Sequence, residues 1–231
     1  DKWGFIDKTG KIVITCQWKF AWDFKQGLAL VNHRDNLCYI DKKGTVVYNN
    51  VGKINEGLRY ISNVGGQFGY INEQNIVVIS CQWKSAYSFK DGLAHVQDAS
   101  GKYGIIDKTG KVVTPCRWKL AIEFIEGMSL VQDTSGKYGF VDKTGKEVIP
   151  CQWKEAHSFS DELALVQDSS GKYGYINKKG RFAIPCQWEN AQSFQEGLAP
   201  VKKKGKSWGI IKENDKWGYI DKKGNVVIPF T

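Results

Sequence analysis

The side chains with most chemistry to offer are six cysteines, three histidines and a recurring tryptophan. Five cysteines, Cys16, Cys81, Cys116, Cys151 and Cys186, each stand two residues before a tryptophan. None belongs to a Cys-x-x-Cys pair and none is joined by paired histidines, so a zinc site has no local support. Five positions repeated once per unit cannot pair off, and they lie beyond the ~7 Å reach of a disulfide. They read as one small buried residue per unit, with a redox or metal ring as the chemical alternative. Cys38 falls elsewhere in the pattern and reads as packing compensation. Unpaired thiols lean towards a reducing, cytoplasmic setting, with a secreted or surface location left open. His33, His95 and His157 occupy unrelated places, and no nucleophile elbow, phosphate loop or zinc helix accompanies them. These residues indicate no catalytic group, no metal site and no cofactor.

Tryptophan and lysine are better candidates for binding. Trp18, Trp83, Trp118, Trp153 and Trp188, with Lys19, Lys84, Lys119 and Lys154 beside four of them, could form a platform for sugars or bases. Packing between units is the other use of so regular a tryptophan. The chain carries 33 Lys+Arg against 24 Asp+Glu, a formal charge of +9, and only Arg34, Arg59, Arg117 and Arg181 are arginine. Lys8, Lys43, Lys108, Lys143, Lys178 and Lys222 sit in equivalent turns and should crowd one rim. Such a rim steers anionic partners or simply keeps turns soluble. Lysine reads base edges poorly beside arginine.

The elements that hold these residues come from a repeat. An aromatic-glycine pair recurs at Trp3-Gly4, Phe68-Gly69, Tyr103-Gly104, Tyr138-Gly139, Tyr173-Gly174 and Trp208-Gly209, with Leu37-Cys38 as a degenerate copy. From Gly69 to Gly209 each step is 35 residues, and Trp217-Gly218 follows nine residues later. A turn of the form Asp-Lys-x-Gly recurs at Asp7–Gly10, Asp41–Gly44, Asp107–Gly110, Asp142–Gly145 and Asp221–Gly224, with Asn177–Gly180 as a near copy and Asn72-Glu73-Gln74-Asn75 as the exception; it is the signature of a type I turn with a bulged glycine. A second turn, Asp98–Gly101 and its copies, closes another hairpin. Three strands per copy follow: Leu-Ala-x-Val, aromatic-Gly-x-Ile-Asp and x-Val-Ile-Pro. A Phe-x-x-Gly segment (Phe24, Phe89, Phe124, Phe159, Phe194, with Ile54 substituting) plugs the core ahead of the first strand. Strands such as Leu163-Ala164-Leu165-Val166 are apolar on both faces, so neighbouring units must cover them. The glycine of the pair lets a neighbouring backbone approach closely.

The chain is therefore all-β, one repeat domain over residues 1–231. Its three-stranded antiparallel units form a propeller-like ring of six to seven thin blades, or alternatively an open β-solenoid stack. No apolar run approaches the ~20 residues of a membrane helix. Opening in mid-motif at Asp1 without a methionine suggests a trimmed or processed chain, so it reads as a monomer or as a fragment of a longer array.

The run Trp/Tyr-Gly-x-Ile-Asp-Lys-x-Gly-Lys, then Val-Ile-Pro, then Phe-x-x-Gly-Leu-Ala-x-Val, resembles the bacterial WG-repeat family over nearly the whole chain. The resemblance implies an all-β, propeller-like repeat module and no catalytic residues or ligand class. The chain departs where such repeats often carry Pro-x-aromatic; here the motif is Cys-Gln/Arg-Trp. The second copy lacks that motif and runs four residues short, Tyr48 to Ile54, which marks the expected weak joint.

Copies disagree on either side of a constant alanine (Ala21, Ala86, Ala121, Ala156, Ala191). Phe20, Trp22, Tyr87, Leu120, Ile122, Glu155, His157 and Gln192 occupy these free positions, which suit recognition on a loop face. The leading expectation is a non-catalytic binding or scaffold module for a protein or glycan partner. The alternatives are an anionic polymer (nucleic acid or acidic polysaccharide) on the lysine rim, and a hydrolase-type enzyme with its site in a central funnel.

Overall fold

The computed structural model describes residues 1–205 and 215–231, together with the backbone of two short strands, Ser207–Trp208 and Ile211–Lys212. Among the described residues every regular element is a β-strand, and all strand pairing is antiparallel. The chain forms two compact units, Asp1–Cys116 and Arg117–Thr231.

Four of the repeats make sheets of four strands, not three, while the opening hairpin, Trp3–Ile6 with Ile12–Trp18, is a two-stranded sheet. In the second unit the strands Glu155–Ala156, Leu163–Gln167, Tyr173–Asn177 and Phe182–Trp188 pair in chain order. The added strand holds two residues, ending on the constant alanine. So short an element shows no alternation, and the turn after it consumes the rest of the sequence signal. That turn is a two-residue hairpin: Ser160 and Leu163 exchange both backbone bonds around Asp161 (φ 53°) and Glu162 (φ 70°). Both central residues are left-handed, as a type I′ turn requires.

The Asp-Lys-x-Gly turns form as expected. Asp142 accepts from the amides of Thr144 (2.8 Å) and Lys146 (3.1 Å) and from the Thr144 hydroxyl (2.6 Å). The following glycine stacks on the previous repeat: a side chain at Gly180 would touch Ile149, and one at Gly110 would touch Ile79. Cores alternate bulky and small faces. Leu163, Leu165, Tyr175 and Trp188 pack against Ala199, Val201 and Ile220 of the next sheet. The plugs Phe89, Phe124, Phe159 and Phe194 are buried, and the rings of Phe140 and Phe159 meet at 4.9 Å between centroids. Covering of both faces holds within each unit: the strand Leu163–Gln167 is buried along its whole length.

The aromatic-glycine pair has a steric cause. Tyr138 pairs with Trp153 and Phe140 with Ile149, so Gly139 alone stands opposite Pro150, Cys151 and Gln152, a bulge. A Cβ at Gly139 would lie 2.5 Å from the Ile149 carbonyl oxygen and 2.8 Å from the Cys151 amide nitrogen. The second copy confirms the coupling. It lacks Cys-x-Trp, its strand Val46–Asn49 carries a smaller register shift, and Cys38 occupies the glycine position without conflict.

The short second copy is where the structure departs most from the expected weak joint. Tyr48 pairs with Tyr39 on one side and with Asn63 on the other. One strand thus closes one repeat and opens the next, fusing two repeats into a continuous seven-stranded sheet from Phe20 to Trp83. The sheet turns back on itself, so that Tyr39 packs on Ile61 and Ile71. At the other end Leu198–Lys203 pairs with Lys216–Asp221, placing Trp217-Gly218 in the repeat register. The 35-residue step had pointed to Trp208-Gly209 as well; Trp208 falls in a separate two-strand hairpin with Ile211–Lys212, and Gly209 lies outside the described residues.

Candidate functional site

The variable positions beside the constant alanine are equivalent in space as well as in sequence. Trp22, Tyr87, Ile122, His157 and Gln192 each donate their amide to a carbonyl of the adjoining strand, at Leu30, His95, Leu130, Leu165 and Pro200. Phe20, Leu120 and Glu155 pair with Asn32, Gln132 and Gln167 in matching register. In the first unit the row is aromatic and open: Phe20, Trp22 and Tyr87 are 52%, 50% and 47% exposed. The Tyr87 ring leans on Tyr103, with centroids 6.3 Å apart. In the second unit Ile122, Glu155, His157 and Gln192 are exposed and Leu120 is half-buried. Glu155 accepts the Tyr173 hydroxyl at 2.7 Å. Partial burial and this carboxylate push the Tyr173 phenol up to about 12.

The motif tryptophans are not a platform. Trp18, Trp118, Trp153 and Trp188 are buried and Trp83 is half-buried, each serving the core. The cysteines beside them are free, half-buried or, at Cys16, exposed. Burial pushes the thiols of Cys81 and Cys116 up, Cys186 to about 11 and Cys151 to about 12. Protonated thiols are weak nucleophiles and weak ligands. Among the described residues no three His, Cys, Asp or Glu side chains gather as a metal site would require.

Part of the lysine rim is spent between sheets. The type I′ turn of one repeat presents an acid to the next: Glu56 accepts the Gly92 amide at 2.9 Å and pairs with Lys108 at 3.1 Å. Glu126 accepts the Glu162 amide at 3.1 Å and pairs with Lys178 at 3.1 Å. Asp161 takes the Gly197 amide at 2.7 Å. Burial raises the Glu56 carboxyl, but the Gly92 amide and Lys108 outweigh it and hold the group below its ordinary value. Lys143 is also engaged, while Lys8, Lys43 and Lys222 stand exposed. Lys108 and Lys178 therefore act as clasps between neighbouring sheets, not as free rim charges.

A cleft opens at the fused joint, unanticipated from the sequence. About 280 Å³ in volume, it is lined by Trp22, Asp23, Lys25, Leu30, Tyr39, Arg59, Glu73 and Asn75. Three of these break the repeat template. Arg59 replaces the alanine that is fully buried at Ala29, Ala94, Ala164 and Ala199. Glu73 replaces the turn lysine, and Asn75 the turn glycine. Asn75 keeps the left-handed backbone (φ 61°) and uses its side chain: it accepts the Tyr39 hydroxyl and donates to the Leu28 carbonyl, both at 3.0 Å. Arg59 Nε is buried without a partner. Arg117, by contrast, is paired with Glu147 at 3.0 Å. The one available signal is the strand position itself: four alanines, one serine and one arginine across the copies.

This fold of repeated antiparallel sheets, with an aromatic-glycine pair opposite a bulge, defines a β-repeat module. The family model of the WG containing repeat matches residues 3–37, 68–102, 103–138, 138–172, 173–206 and 217–231, and the chain belongs to that family. The family pattern passes over two internal stretches, residues 38–67, which hold the fused second copy, and residues 207–216. No curated protein matches the chain. Among solved structures it is similar to the computationally designed Ika8 protein (10% identity, TM-score 0.44, 94% of this chain and 77% of that one). BamB from Moraxella catarrhalis aligns at 12% identity and TM-score 0.37, over 84% of this chain and 70% of that one. The WD40 β-propeller domain of Doa1 aligns at 13% identity and TM-score 0.34, over 93% and 86%.

Proposed function

We propose that the chain is a non-catalytic binding module that engages a protein or glycan partner through the edge flanking the constant alanines. One observation carries the reading. In the first unit three large aromatics, Phe20, Trp22 and Tyr87, stand about half exposed at positions the template leaves free. Single exposed apolar residues are ordinary, but an equivalent row of them is the composition of a recognition patch. Tyrosine and tryptophan suit either partner, offering a flat apolar face and a polar tip.

The lysine-rim reading has less support, because Lys108 and Lys178 are neutralised by acids of adjacent turns. The thiols raised by burial weigh against a cysteine nucleophile. The test compares the parent with Trp22→Ser/Tyr87→Ser on a glycan array and in crosslinking from lysate. Loss of the same glycan or the same crosslinked protein at unchanged fold supports the reading. Identical profiles for the two proteins would refute it.

A further inference from the structure

We infer that the cleft around Arg59 is a small-molecule site for a carboxylate that also carries a cation, with a basic amino acid or a chain end in arginine or lysine as its occupant. The inference stands apart from the recognition row, sharing only Trp22 with it.

Arg59 is the first ground. At its strand position the sister repeats carry alanine, buried at Ala29, Ala94, Ala164 and Ala199, or the buried Ser129. Packing therefore asks for a small residue, and the guanidinium, which lies close enough to Tyr39 to act on its phenol, goes beyond what packing asks. It pairs with no carboxylate among the described residues, and its Nε–H is buried without an acceptor. Leaving a buried donor unmet is costly, and the planar fork of five donors fits a carboxylate in two parallel bonds.

The lining charge is the second. Lys25 and Arg59 balance Asp23 and Glu73, and none of these four has an ion pair among the described residues. Glu73 is itself a reversal, acid where Lys8, Lys42, Lys108 and Lys143 stand in the other copies. A polyanion would meet two carboxylates at the mouth, whereas a ligand carrying both signs meets a counterpart for each. The half-exposed Trp22 indole supplies a face on which a guanidinium or ammonium stacks. A volume of about 280 Å³ lies at the lower end for ligand pockets and suits a group the size of one amino acid. Tyr39 and Asn75, locked to each other and to the Leu28 carbonyl, give the floor a fixed shape.

The experiment titrates the full ¹⁵N-labelled chain with three probes: L-arginine, Nα-acetyl-L-arginine and Nα-acetyl-L-argininamide. Amide shifts are followed to about 20 mM, the range in which millimolar binding saturates. Saturable shifts at Arg59, Glu73 and Asn75 with at least one carboxylate probe, and none with the argininamide, are expected. Binding of acetyl-arginine identifies a chain end as the source; binding of L-arginine alone identifies the free amino acid. Arg59→Ala, which restores the template residue, should weaken binding at least tenfold while the melting temperature holds. No saturable shift with either carboxylate overturns the inference, as does equal binding of the argininamide or unchanged affinity in Arg59→Ala. Persisting glycan or protein capture by the Arg59→Ala chain would leave the recognition row standing on its own.

Discussion

Adding one methyl group at Gly139 tests the coupling between the aromatic-glycine pair and the bulge. In Gly139→Ala the new Cβ would sit 2.5 Å from the Ile149 carbonyl oxygen, 2.8 Å from the Cys151 nitrogen and 2.9 Å from its Sγ. Two of those atoms are backbone on a paired strand, flanked by the Tyr138–Trp153 and Phe140–Ile149 pairings. Rotation of a side chain cannot clear them; the bulge must move. Overpacking of this kind costs about 1–3 kcal/mol, and a disturbed ladder bond adds about 1 kcal/mol. The stiffer unfolded chain returns about 0.4–1 kcal/mol. A net loss of about 1–3.5 kcal/mol lowers the melting temperature by roughly 2–14 °C for a chain of this size. Scanning calorimetry on parent and variant reads it directly, and Gly139→Val should be worse. The internal control is Cys38, where the bulge is missing and a side chain is already accommodated. Cys38→Gly should cost only the lost burial and the glycine entropy, about 1–2 kcal/mol. A Gly139→Ala chain melting within about 2 °C of the parent would refute the steric account.

Asp98, Asp107, Asp133 and Asp168 are held below the usual carboxylate range, first by the hydroxyls of Ser100, Thr109, Ser135 and Ser170 and then by turn amides. Their stabilisation is complete above the unfolded carboxylate value and is lost as pH falls through the lower folded one, so thermal stability should drop as pH falls below about 4. Asp133→Asn keeps the acceptor oxygen, as Asn177 does in a turn of this same chain, but loses the charge, so it should give up that carboxylate contribution at neutral pH and flatten the acid limb in melting curves from about pH 7 to about pH 2. Glu126→Ala removes the acceptor for the Glu162 amide and the partner of Lys178, and should cost about 1 kcal/mol, partly recovered as salt rises. Trp22→Ser/Tyr87→Ser should shift the melting temperature by no more than about 2 °C, because both rings are half exposed; a larger fall would place them in the core.

The repeat, the turns and the buried plugs were legible because packing forces every copy to agree. Gly139 and its counterparts announce a close approach, and Leu163–Val166 announces a sheet covered on both faces. The two-residue strands were not legible, since Glu155–Ala156 is too short to show a period. Nor was the fusion at the second copy: a four-residue deletion looks like a weak joint until Tyr48 is seen pairing on both sides. The cleft was hidden for a related reason. Disagreement between copies is expected in loops, whereas Arg59 sits inside a strand. Asn75 reads as a residue tolerant of a left-handed turn, which it is, but its side chain also ties Tyr39 to Leu28.

We propose that Arg59 and Glu73, the two charge changes at the cleft, serve recognition rather than folding. Thermal unfolding of the double reversion Arg59→Ala/Glu73→Lys tests it most directly. Removing a buried, unpartnered donor should leave the melting temperature equal to the parent's or raise it by about 2–4 °C, the equivalent of ~1 kcal/mol. A fall of more than about 6 °C would show that Arg59 and Glu73 hold the joint together, and would contradict the account.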